Sequence, residues 1–93
     1  MMKRTYKVTL KTRDIFNFTT AIMLKQYEPN PTIIGTYESK EGQLVDLKIS
    51  CTRNEKLVIG VALSDYILRF VEIDENNKEL DLIERIFRGW MLV

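Results

Sequence analysis

The stretch LVIGVALSDYILRFVEID, Leu57 to Asp74, constrains this chain more than any other. It holds two apolar runs broken only by Ser64 and Asp65. In the first, Leu57, Ile59, Val61 and Leu63 fall on every second position, the spacing that places side chains on one face of a strand. The break is too short for a crossover helix. Read this way, two strands meet at a tight corner, as they do in small, strongly bent sheets and barrels. Gly60 and Ala62 form a small-residue stripe on the first strand, which reads as a bend at a barrel corner.

Other segments follow the same rhythm. Thr5 to Thr12 alternates, with Tyr6, Val8 and Leu10 on one face and Lys7, Thr9 and Lys11 on the other. Pro29-Asn30-Pro31 interrupts the chain by removing two backbone donors. Thr32 to Glu38 then reads as a strand, hairpinned through Lys40-Glu41-Gly42 into Gln43 to Thr52, where Val45, Leu47, Ile49 and Cys51 share a face. Arg53-Asn54-Glu55-Lys56 reads as the next turn. Two readings compete for Ile15 to Glu28. A helix would put Ile15, Phe18 and Ile22 on one face, with Asp14 as its cap. A strand over Ile15 to Leu24 would alternate Phe16, Phe18, Thr20, Ile22 and Leu24. The β-branched and aromatic content favours the strand.

Beyond Asp74 the period changes. Asn76 followed by Glu79 has the spacing of a capping box, and Leu80, Ile83, Phe87 and Trp90 recur at helical intervals. Asp81 to Arg85 and Glu84 to Arg88 run acid to base four residues apart, and Gly89 stands where helices often finish. A helix over Asn77 to Arg88 follows. The expected fold is α+β: one domain over residues 1–93, a bent antiparallel sheet or partly open small barrel of five to six strands, with one C-terminal helix.

The 93 residues include no histidine and a single cysteine. Cys51 therefore has no base to activate it and no partner for an intramolecular disulfide; its strand-mates mark it as a core residue. Ser64-Asp65 lacks the histidine that would join them as a triad, and a corner turn explains both. Zinc-ligand clusters are absent, Asp74-Glu75-Asn76-Asn77 lacks the spacing of a calcium loop, and the four glycines are isolated. The expectation is no catalytic residue, no metal site and no cofactor. With no signal-peptide pattern and no apolar span, the expected address is the cytoplasm, with no membrane partner.

A formal charge of +1 argues against bulk attraction to nucleic acid, yet the charge is unevenly placed. Lys3, Arg4, Lys7, Lys11, Arg13 and Lys25 oppose Asp14 alone in residues 1–27, while residues 72–84 carry six acids against Lys78. Lys7, Lys11 and Arg13 form a basic strand face that would suit phosphates; lysines on an edge strand also discourage aggregation. The tail Trp90, Met91, Leu92 and Val93 is the strongest partner-binding candidate. Two roles stay open for it: docking on the domain's own core, or joining an interface with another chain.

Leu57–Asp74, read as strand, one-turn corner and strand, resembles the closing part of SH3-like and Sm-like small barrels. The hairpin TYKVTLKTRDIFNF resembles the opening of accessory proteins of phages and mobile elements. Ten isoleucines against two alanines fit the AT-rich coding expected of such an origin. The resemblance implies a non-enzymatic module that works by occupying a partner's surface; with the small size, the origin and the absence of catalytic chemistry, the expected function is stoichiometric protein binding as inhibitor (a host defence nuclease being one target), adaptor or assembly part. Nucleic-acid binding through the basic strand face is the alternative.

Overall fold

The computed structural model describes residues 2–24 and 31–80. Strand β1 (Lys3–Lys11) leads through a single 3-10 turn, Thr12–Asp14, into helix α1 (Ile15–Leu24). Strands β2 (Thr32–Ser39) and β3 (Gly42–Thr52) form a hairpin, and β3 runs directly into helix α2 (Arg53–Ala62). A turn over residues 63–66 delivers the chain to strand β4 (Ile67–Glu72). The sheet order is β2-β3-β1-β4, with every neighbouring pair antiparallel. This β-α-β-β-α-β order is that of a split βαβ sandwich.

The pleat explains which side is buried. Tyr6, Val8 and Leu10 of β1 stand opposite Ile49, Leu47 and Val45 of β3, so alternate residues of both central strands point to the same side. Phe18 and Ile22 of α1, together with Ile59 of α2 and Leu63 just beyond it, join those residues in one core cluster. Both helices therefore cover one face of the sheet. Each fully buried Phe, Leu, Ile or Val removes enough apolar surface from water to be worth about 1.5–3 kcal/mol.

The architecture departs from the expected one in four respects. The described residues hold four strands in an open sheet, not five or six in a bent sheet or partly open barrel, and two helices lie between the strands. Ile15–Leu24 is helical: Phe18 and Ile22, four apart, are buried, whereas Phe16 and Leu24 are 76% and 78% exposed. A strand would have put all four on one face. Thr19 fits the helix by donating its hydroxyl back to the Ile15 carbonyl at 2.9 Å.

The third departure concerns the opening feature. Arg53-Asn54-Glu55-Lys56 is the first turn of α2, and Leu57–Ala62 is its continuation. Thr52 Oγ1 accepts from the Glu55 amide at 3.1 Å, and the Glu55 carboxylate accepts from the Thr52 amide at 2.8 Å. This reciprocal cap starts the helix. Gly60 faces Phe70 on β4 rather than a barrel corner. Only the second apolar run, Ile67–Glu72, is a strand.

Fourth, Asn77 to Leu80 do not begin a helix. Asp74 Oδ1 accepts from the amides of Asn76 and Lys78, Asn77 takes φ 63°, and Glu79 bridges back to Ile73. An Asx-type turn thus consumes the residues that read as a capping box. The rest of the expected helix, residues 81–88, lies outside the described residues.

Candidate functional site

The Thr52–Glu55 cap fixes where α2 begins, and so places Arg53 and Lys56 beside the β1–β4 pair. On that pair Tyr6 stands directly opposite Glu72. Between them and the first turns of α2 is a cleft of about 260 Å³, lined by Tyr6, Arg53, Lys56, Leu57 and Glu72. The Tyr6 ring meets Phe70 edge-on, with centroids 5.6 Å apart and planes at 78°. The Lys56 ammonium sits 5.0 Å from the Phe70 centroid and 6.0 Å from that of Tyr6.

The charges here are arranged unequally. Glu72 is buried, and its carboxylate accepts from Arg4 Nη1 at 3.3 Å, so its negative charge is already compensated. Neither Arg53 nor Lys56 makes an ion pair among the described residues. Tyr6 is 4% exposed, and its hydroxyl has no hydrogen-bond partner among the described residues. Burial, and then the neighbouring Glu72 carboxylate, push the Tyr6 pKa up, so the hydroxyl stays protonated and able to donate. Cys51, on the same end of β3, is a buried thiol pushed up to about 11, chiefly by burial. As a thiol rather than a thiolate it is a packing residue.

Beside the cleft, α2 turns apolar residues outward. Its only buried residue is Ile59, while Leu57, Val58 and Val61 are 59%, 49% and 79% exposed. A helix that merely covered a sheet would carry polar residues there. Arg53 and Lys56 stand one turn or less from this stripe.

The residues singled out from sequence are scattered. Lys7 lies on the sheet face opposite the helices, where its ammonium donates to Glu79 Oε2 at 3.0 Å; Arg69 donates to the other oxygen of the same carboxylate. The hydrogen bond from Lys7, more than any other influence, holds the Glu79 pKa below the ordinary carboxylate value. Lys11, at the end of β1, and Arg13, in the 3-10 turn beyond it, line a separate concavity with Thr12, Glu41, Gly42 and Gln43. Trp90, Met91, Leu92 and Val93 lie outside the described residues.

Sequence reasoning missed the cleft residues Tyr6, Arg53, Lys56, Leu57 and Glu72, and the outward character of Val58 and Val61. One signal was present. Thr52-x-x-Glu55 has the capping-box spacing immediately before an apolar run, and it marks a helix start at Arg53.

Comparison with protein families, with characterised proteins and with solved structures finds no match to this chain. Among the described residues no helix is long and apolar enough to cross a membrane.

Proposed function

We propose that this protein is a non-enzymatic binding module that works stoichiometrically by laying the outward face of α2 against a protein partner, in the cytoplasm. The observation that carries this reading is the apolar stripe Leu57, Val58 and Val61, turned away from the core on a helix whose one buried residue is Ile59. Apolar side chains grouped on one exposed helix face mark a surface that another protein covers. Helix-face docking also suits the size of the domain, because it needs no cavity deep enough to enclose a ligand.

Binding of nucleic acid through Lys7, Lys11 and Arg13 is the weaker proposal. Lys7 is occupied by Glu79, and Lys11 and Arg13 share their concavity with Glu41.

The test compares wild type with Val58→Lys/Val61→Lys as bait in extract from the native host. A partner retained one-to-one by wild type and lost from the variant is expected. Equal retention by both would refute the assignment of the α2 face.

A further inference from the structure

We propose that the cleft between β1, β4 and the first turns of α2 is a carboxylate-binding site, which receives an acidic side chain of the protein that covers α2. The identity of that source rests on the binding reading above; the site itself rests on its own geometry.

Four features converge on a single negative charge. Arg53 and Lys56 line the cleft without an ion pair among the described residues. Tyr6, 4% exposed, lines the same cleft, and its hydroxyl, close enough to Glu72 and Arg53 to feel both charges, has no hydrogen-bond partner among the described residues. A carboxylate entering the cleft would accept from that hydroxyl in a charge-assisted hydrogen bond, stronger than one between neutral groups. The amino end of α2 adds the positive end of its dipole.

Charge count selects the class of anion. Among the lining residues Arg53 and Lys56 oppose Glu72, leaving one positive charge in excess. A carboxylate brings one negative charge and matches it. A phosphate monoester brings close to two and would leave the cleft with an excess negative charge. Leu57 supplies an apolar wall for the methylene stem of an aspartate or glutamate. Because Leu57 also begins the outward stripe, the acid that enters the cleft belongs to a partner surface otherwise apolar.

The test uses the full chain and three small probes, followed by proton–nitrogen NMR at low ionic strength. They are N-acetyl-glutamate methylamide, its uncharged glutamine counterpart, and inorganic phosphate. The expected result is saturable binding of the glutamate probe in the millimolar range, with shifts at the amides of Arg53 to Leu57 and of Tyr6. The glutamine probe should give none, and added salt should weaken binding. Arg53→Gln/Lys56→Gln should weaken it by at least about tenfold. Tyr6→Phe, which keeps the ring against Phe70, should weaken it by about threefold to tenfold. No saturable change up to about 100 mM would overturn the site. So would equal binding of the glutamine probe, tighter binding of phosphate, or indifference to Arg53→Gln/Lys56→Gln. The probes need no partner, so the two readings fail separately. Glutamate binding with partner retention indifferent to Val58→Lys/Val61→Lys overturns the protein source and leaves the site. Retention lost from that variant without glutamate binding overturns the site alone.

Discussion

Phe16 and Phe18 are two residues apart and, in a strand, would be equivalent; in α1 they are opposites. Phe18 is fully buried among Val8, Leu10, Val45 and Leu47 of the core cluster, and Phe16 is 76% exposed. Phe18→Ala removes the transfer free energy of the ring and leaves a cavity that the close-packed sheet can only partly close, a loss of about 3–5 kcal/mol. Phe16→Ala should fall within about 0.5 kcal/mol of wild type. The same contrast repeats one turn on: Ile22→Val should cost about 0.5–1.5 kcal/mol, while Leu24→Ala, at 78% exposure, should be nearly neutral. Urea unfolding followed by far-ultraviolet circular dichroism reads all four. In a domain of this length each kcal/mol moves Tm by about 4–8 °C, so thermal melts give an independent measure. Total stability of a domain is about 5–15 kcal/mol, so Phe18→Ala threatens folding and Ile22→Val keeps the series informative. A Phe16→Ala loss within about 1 kcal/mol of the Phe18→Ala loss would refute the helical reading of α1.

Three further outcomes follow from the same physics. Gly60→Ala should stabilise the protein by about 0.5–1 kcal/mol in urea unfolding, because the added methyl meets Phe70 at an ordinary 3.8 Å and a helix interior favours alanine; a loss would mean that this segment is not helical. Glu79, whose folded pKa is lowered, adds stability that is complete above the ordinary carboxylate pKa and disappears as pH falls through the lowered value. Glu79→Gln should therefore flatten the stability profile on the acid side, by no more than about 1 kcal/mol because the carboxylate is partly solvated, and an unchanged profile would dismiss the Lys7–Glu79–Arg69 arrangement. Cys51, with its pKa pushed up to about 11, should react with a thiol reagent at neutral pH only as fast as the protein opens, and fast native-state labelling would contradict its burial.

The central strands were legible because each has one clear period. Tyr6, Val8 and Leu10 on β1, and Val45, Leu47, Ile49 and Cys51 on β3, are buried where alternation places them. The helices were not, because both carry apolar residues on more than one face. Along α2 and at the residue that caps it, Leu57, Ile59, Val61 and Leu63 alternate as a strand would, yet only Ile59 and Leu63, four apart, are buried. The two residues that spoil a helical pattern, Leu57 and Val61, are the ones turned outward, so the surface proposed for binding is also what disguised the element. In α1, Phe16 and Leu24 misled in the same way. At Asn76–Glu79 a capping-box spacing was satisfied by a turn, since Asp74 claimed the amides that a helix would have started from. Thr52–Glu55 had the same kind of spacing and did start a helix. The cleft itself was illegible, since Tyr6, Glu72, Arg53 and Lys56 meet only through antiparallel pairing of distant strands.

The central claim is that Leu57, Val58 and Val61 serve a surface and not the core. Urea unfolding of Leu57→Gln/Val58→Gln/Val61→Lys tests it most directly, because it needs no knowledge of the partner. The expected result is a native fold within about 1 kcal/mol of wild type with an unchanged m-value, since exposed side chains are lost and better helix formers replace two valines. A loss of about 3 kcal/mol or more, or failure to fold, would show that these side chains hold the domain together and would contradict it.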